Sequence, residues 1–358
     1  MSIEKTKIDL FDDSQKMQVI IDDMATQFDI PVWKKYMSPK YNRSLDIKAL
    51  LAIYDQVKAS TVIDYSSGKP IRTRPSAAQI TAEMCKLGNS WQMNERDIRA
   101  YDDLVYTIGQ NIEGVGANEL VDFFFGEMRR AALEPHQTIN RMVLQGMSEN
   151  KISVTASNNK GGIVWEQELG IEEMTVDESF DNATALPMDM FKEVRTIFRK
   201  KGTVAGYATM NTVTFEKMMA TTQMKNLFLT QVTSGGKMLR TVTDGAIGVD
   251  EVNIYLTSKR LPIINIEDTP VTTDAGITYP FIDDRICFSE TLNMGNLYWT
   301  NAMEAKEGRK NPNKSYALSD LVLISKYSDG TSEITENELN AMPIFSQLNK
   351  MLIVNTDA

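Results

Sequence analysis

The side chains that could carry chemistry are few and scattered. One histidine, His136, stands in the whole chain, which removes most His-dependent triads and nearly all His-rich metal sites. Cys85 and Cys287 belong to no CxxC or Cys/His cluster, so a disulfide framework and a Cys-based zinc site are excluded. Acidic doublets occur at Asp12-Asp13, Asp22-Asp23, Asp102-Asp103 and Asp283-Asp284. Adjacent acids diverge on a helix and face opposite ways on a strand, so no doublet is by itself a general acid/base pair. A pair assembled in space, and with it a carboxylate-dependent hydrolase, stays open as the least favoured alternative. Gly235-Gly236-Lys237 lacks the first glycine of a phosphate loop and reads as a turn. His136 follows Pro135 and reads as structural. The methionines at 210, 218, 219 and 224 read as packing before they suggest a metal. No catalytic set, metal site or cofactor is expected, and the chain is not read as an enzyme.

The elements that would position any site must be built from 358 residues, 42% of them hydrophobic, enough for two or three modules. The first residues lack an apolar core of the signal-peptide kind, and no 18-residue apolar run occurs, so neither export nor membrane spanning is expected. The formal net charge is −10. A surface this acidic does not hold phosphate backbones in general. The charge is uneven, however. Between Pro31 and Lys86 ten basic residues face four acids, a net +6, whereas the first thirty residues carry −4 and the remainder −12. The segment reads as a solvated basic face, or as a basic arm lying on acidic surfaces of neighbouring copies. A nucleic-acid arm is disfavoured because the interleaved aromatics are only Trp33, Tyr36 and Tyr41.

Apolar spacing predicts helices over 8–28 and 45–58, the latter through Leu45, Leu50, Ile53 and Val57. Residues 31–43, PVWKKYMSPKYNR, read as an extended strap. Residues 60–90 read as a projecting hairpin turning at Ser66-Ser67-Gly68. A helix follows from Asn94. Gly114-Val115-Gly116 interrupts, and Asn118 is expected to cap a helix running through Pro135 to about 147, with Phe123–Phe125 in the core. Residues 151–170 predict a hairpin around SNNKGG, and 188–200 an amphipathic helix. A strand from Val204 to Met210 then feeds a helix capped near Asn211 or Thr212. Strands are expected at VNIYL, LPIINIED, RICFSE, LVLISKY and MLIVN, with a turn at Asp274-Ala275-Gly276 and a polar surface loop over 300–315. Helices and strands segregate, so the fold class is α+β. Residues 31–90 have too little apolar content to bury against their own body and are expected to be completed by other copies.

The order of these parts resembles the major capsid proteins of tailed bacteriophages with the HK97-type fold, nearest the lambda-like capsid subunit group. The resemblance rests on residues from about 30 to the end. It includes Ile139-Asn140-Arg141-Met142-Val143-Leu144-Gln145-Gly146 at the end of the long helix, then Val164-Trp165-Glu166. Met210 to Met218, Leu261 to Glu267, Asp274-x-Gly276, Pro280-Phe281-Ile282 and Cys287-Phe288 complete it. It implies an N-terminal arm (1–57), an extended loop hairpin (58–93) and a peripheral domain with a long spine helix (94–189). An axial domain (190–299) and a return to the peripheral domain (300–358) follow. It implies a structural virion protein that self-assembles into pentamers and hexamers, an icosahedral head enclosing double-stranded DNA without sequence-specific binding. A separate scaffolding protein and a portal are implied partners, no membrane is, and location is the virion capsid, with host cytoplasm during assembly. An encapsulin-like compartment shell enclosing protein is the nearer alternative. Lys69, Arg72 and Arg74 at the hairpin, with Lys34 and Lys35 in the strap, are the expected inter-subunit contacts.

Overall fold

The computed structural model describes residues 3–6, 8, 11–26, 28–51, 78–109, 117–161, 163–233 and 247–357. Its helices are α1 (Ser14–Ala25), the single turn α2 (Trp33–Tyr36), α3 (Glu95–Gly109) and α4 (Ala117–Glu149). They continue as α5 (Pro187–Lys200), α6 (Thr212–Ala220), α7 (Thr222–Thr233) and α8 (Val249–Ser258). The strands are β1 (Met37–Tyr41), β2 (Asp46–Leu51), β3 (Ala78–Glu83), β4 (Cys85–Leu87), β5 (Ser90–Met93) and β6 (Lys151–Val154). Next come β7 (Trp165–Glu168), β8 (Glu172–Thr175), β9 (Tyr207–Met210), β10 (Ile263–Ile266), β11 (Val271–Thr273) and β12 (Gly276–Thr278). The last are β13 (Arg285–Ser289), β14 (Gly295–Thr300), β15 (Ser315–Ser319), β16 (Val322–Ser328), β17 (Glu333–Phe345) and β18 (Met351–Asn355).

Two sheets carry the structure. One runs β1-β14-β17-β16-β15, with β4 and β5 paired to the other side of β17, and the other runs β10-β9-β13-β18-β8. Two cores result, and β13 and β18 serve both. Strand side chains alternate between faces, so Cys287, Met351 and Ile353 enter the core under α4, while Ile286, Phe288, Leu352 and Val354 enter the core under α5 and α8. Burial pushes the Cys287 thiol up to about 12, consistent with an inert packing role. Met210, Met218 and Met224 are buried in the second core, as packing.

Helix α4 contains Pro135, which has no N–H for the carbonyl of Ala131. The missing donor comes from β17: Asn337 Nδ2 donates to Ala131 O at 2.7 Å. The same side chain accepts from Asn89 N at 2.6 Å, and Asn337 N donates to Asn89 O at 3.0 Å. One asparagine therefore ties helix, long strand and the β4–β5 junction together. The N-terminal residues close over the far end of that sheet. Thr6 Oγ1 donates to Glu333 Oε2 at 2.5 Å, and the Phe11 ring lies 5.3 Å from the buried Lys326 ammonium.

The α+β class holds, as do α1, α3, α5, α6, the 151–170 hairpin and the strands at LPIINIED, RICFSE, LVLISKY and MLIVN. Four expectations are corrected. Residues 46–51 are strand, because their backbone pairs antiparallel with 78–83. VNIYL lies in α8, whose start is fixed by Gly248 N donating to Glu251 Oε2 at 2.6 Å. Helix α4 begins at Ala117, so Asn118 lies inside it and does not cap it. Residues 31–43 are not a loose strap: Trp33 and Tyr36 are fully buried and β1 is a strand of the large sheet. Nor does the whole of 31–90 lack partners at home, since β1, β4 and β5 all join the body. The turns at 66–68, 114–116 and 235–237 and the side chains of Phe123–Phe125 lie outside the described residues.

Removing the Asn337 amide takes the partner from Ala131 O and from Asn89 N, while Asn89 O keeps the Asn337 backbone N–H. Asn337→Ala is expected to cost about 1–3 kcal/mol. In a Pro135→Ala background, where residue 135 regains an N–H for Ala131, the same change should cost about 1 kcal/mol less. Urea unfolding midpoints of the four chains check both statements.

Candidate assembly surface

The segment Pro31–Tyr41 carries Lys34 and Lys35, two of the five expected contact residues. Tryptophan and tyrosine at spacing i, i+3 share one face of a single helical turn. Both rings point into the body and the intervening lysines point along its surface. Trp33 N donates to Asn140 Oδ1 at 2.8 Å, and its indole Nε1 donates to His136 Nδ1 at 3.2 Å with the rings stacked. Because Nδ1 accepts, the neutral imidazole carries its proton on Nε2, 3.6 Å from Asp320 Oδ2. Burial depresses His136 to about 4 against the opposing pull of Asp320. Tyr36 Oη donates to Glu267 Oε2 at 2.5 Å and accepts from Asn265 Nδ2 at 3.0 Å. Burial and the adjacent carboxylate push the Tyr36 phenol far above its usual range, so it stays protonated as the donor.

Lys34 and Lys35 flank these anchors. Lys34 Nζ lies 2.8 Å from Asp320 Oδ2, and Lys35 Nζ lies 3.5 Å from the buried Glu267 Oε2. Each ammonium also sits over the neighbouring ring, Trp33 at 5.7 Å and Tyr36 at 5.2 Å. Lys86, on β4, pairs with Glu338 at 2.8 Å. Part of the basic charge of the segment is therefore matched by the chain's own acids. Lys69, Arg72 and Arg74 lie outside the described residues. They belong to residues 52–77, where four basic residues meet two acids between the strands of the β2–β3 hairpin. That hairpin is a sheet of two strands by itself. Its root is held by Met84 N donating to Leu45 O at 3.0 Å and by the buried Ile47.

A second exposed surface lies on two other hairpins. Ile163 and Val164 before β7, with Ile277 and Tyr279 at β12, are each more than 60% exposed. Lys160 Nζ and Asp274 Oδ1, 2.8 Å apart, join the two turns. Sequence reasoning passed over this group because its members are separated by more than a hundred positions. It missed the Trp33 and Tyr36 anchors for a different reason, having taken Pro31 and Pro39 as the marks of an unpacked strap.

An open groove of about 670 Å³ is lined by residues 30–32, Lys34, Lys35 and Ile266 to Thr269. Its two acids are already committed as acceptors. Glu267 takes Tyr36 and Thr269, and Asp268 takes Thr212 N at 2.8 Å and the Thr212 hydroxyl. Among the described residues no group of three or more His, Cys, Asp and Glu side chains could hold a metal ion. The arrangement suits fixing a chain segment; it offers no base aimed at open space.

His136 has a folded-state pKa below its ordinary 6.5. The native state therefore binds fewer protons than the unfolded state between about pH 6.5 and 4, and stability falls as pH drops through that window. Thermal melts from pH 7 to 4 should show a steeper loss for the parent chain than for His136→Gln, which cannot titrate. Trp33→Ala should cost about 3–5 kcal/mol at neutral pH, read from denaturant midpoints.

No family model matches the chain, and no curated protein matches it. Solved structures do. The crystal structure assigned as the capsid protein of a prophage of E. coli CFT073 is similar over 97% of this chain and 99% of that one, with 11% identity and a TM-score of 0.52. A phage-related protein of Bordetella bronchiseptica RB50 matches over 95% and 97%, with 10% identity and a TM-score of 0.49. The capsid of Myoviridae phage XM1 matches over 91% and 92%, with 10% identity and a TM-score of 0.45. The first of these likenesses shows that the present chain has the α+β fold of that prophage capsid protein along nearly its entire length.

Proposed function

We propose that the chain is the major subunit of an icosahedral phage head, self-assembling into pentamers and hexamers around double-stranded DNA. The observation that carries this reading is the end-to-end likeness to a prophage capsid protein, 97% of one chain against 99% of the other. On this reading the chain is a structural protein, not an enzyme. On this reading 1–57 form the arm, 58–93 the extended loop, and 94–189 with 300–358 the peripheral domain around α4. Residues 190–299 form the axial domain. A separate scaffolding protein and a portal would be the other partners. The virion would be the final location, with assembly in the host cytoplasm.

The charge distribution supports it. A wall with a net charge of −10 does not trap the polyanion it encloses. Residues 52–77 supply Lys58, Lys69, Arg72 and Arg74, which lie between two strands of an otherwise separate hairpin. Such a basic loop complements the acidic body of an adjacent copy. Lys34 and Lys35 serve on this reading by holding the arm to its own body, through Asp320 and Glu267.

Exchanging Lys69, Arg72 and Arg74 for glutamate should abolish closed shells in negative-stain micrographs of purified subunits, with the melting temperature unchanged within a few degrees. Particles like those of the parent would remove these residues from the contact. A parent chain that stays monomeric at every concentration would end the shell reading itself. Raising salt from about 0.05 to 0.5 M should slow parental assembly by screening.

A further inference from the structure

Both large sheets are open, and an open sheet ends in strands whose outward N–H and C=O groups invite pairing with any other strand. At three of these margins an outward-facing residue is occupied in the same manner. In β10, Ile263 N donates to Gly206 O and Glu267 N to Met210 O, so Ile264 between them faces away from β9. Its two backbone groups are both taken by one amide of α8: Asn253 Oδ1 accepts from Ile264 N at 2.7 Å, and Asn253 Nδ2 donates to Ile264 O at 2.9 Å.

At the other end of that sheet, Val176 N donates to Asn355 O, which turns Ile171 outward at the entrance to β8. Asn150 repeats the grip, accepting from Ile171 N at 2.8 Å and donating to Ile171 O at 2.9 Å. Asn150 sits just beyond α4 at φ +58°, a left-handed conformation that asparagine tolerates better than most residues. On β15, the outer strand of the first sheet, Gln18 of α1 accepts from Leu318 N at 2.7 Å and donates to Leu318 O at 2.8 Å. Ser14 Oγ accepts from Tyr316 N at 2.9 Å two positions earlier.

The opposite margins of the first sheet are closed by other means. Asn42 N donates to Trp299 O, so 38, 40 and 42 face β14 and Pro39, with no N–H, faces outward at the centre of β1. The strands β4 and β5 are three and four residues long. Three side-chain amides, two from α1 and α8 and one just beyond α4, thus make the same two-bond grip on an outward-facing backbone unit at a sheet margin.

We propose that Gln18, Asn150 and Asn253 are edge guards, closing the two sheets to strand addition by further copies of this chain and confining contacts between copies to side-chain surfaces. The inference goes beyond the shell reading and does not depend on it, because it concerns free subunits.

The test uses the purified full-length chain in its unassembled state. In hydrogen exchange, the amides of Leu318 and Ile264 should be protected at least about tenfold more than exposed loop amides, and should lose that protection in Gln18→Met and Asn253→Leu respectively. Both variants should melt within a few degrees of the parent and form thioflavin-positive sediment at least about tenfold faster. Adding Leu318→Pro to Gln18→Met removes the freed N–H at a position that faces away from β16, and should return sedimentation to the parental rate. Parental Leu318 and Ile264 amides that exchange as fast as loop amides would overturn the proposal. So would variants that lose this protection without gaining self-association, or a proline that leaves the sediment unchanged.

Discussion

The structure hangs on about two and a half turns of helix α4, from Ala131 to Asn140. Proline at 135 removes a donor inside a helix that runs from Ala117 to Glu149. An unpaired buried carbonyl costs as much as a lost hydrogen bond, so the break creates a demand that another element must meet. Strand β17 meets it through Asn337, and the next residues of the same turn, His136 and Asn140, take the indole and the backbone N–H of Trp33. The defect in the helix is therefore where the long strand and the N-terminal segment are both registered. A regular helix at this place would keep the His136 and Asn140 side chains for Trp33 but would offer Asn337 no free carbonyl at Ala131.

From that junction the rest follows in two directions. Strand β17 carries the first sheet, with β14 and β1 on one side and β4 and β5 on the other. The pair β13–β18 carries the second, and its alternation of faces fuses the two cores, so neither is free to shift without moving the other. The Trp33 anchor in turn fixes where residues 42–51 leave the body, and with them the β2–β3 hairpin. A contact carried on a projecting hairpin is only as well placed as its root. Here the root is tied on one side to α4 through Trp33 and on the other to β17 through Asn89 and Lys86.

Much of this was legible in the sequence, and what was not has definite physical reasons. Helices α1, α3 and α5 and the 151–170 hairpin were readable because each buries one face and exposes the other, the condition under which periodicity carries a signal. Strand β17 was missed because nearly all of it is buried on both faces, so nothing alternates, and because Glu333, Thr335, Asn337 and Asn340 inside it look like surface residues. VNIYL is as β-like by composition as any strand here, and the capping carboxylate of Glu251 made it a helix start. Residues 46–51 were misread for the opposite reason: their partner lies some thirty positions away, and no local pattern announces it. For the assembly surface, charge segregation was visible while its division was not. The sequence treats Lys34, Lys35 and Lys69 alike, and only the fold shows that the first two face Asp320 and Glu267 of their own chain.

That division bears on how such a chain could associate at all. A subunit destined to meet many copies of itself works at high local concentration, where any unselective contact is amplified. Strand addition is the least selective contact available, since backbone groups are the same at every residue and several hydrogen bonds form together. Ion pairs at a surface are worth about 0–1 kcal/mol each and dissociate readily, so a misplaced neighbour can leave and try again. Matching part of the basic charge at home leaves a surplus of two on residues 52–77; on the proposed reading that would orient a neighbour without binding it irreversibly. Satisfied sheet margins and weak surface ion pairs are two sides of one requirement on the proposed reading: contact between copies must be selective and reversible wherever it forms.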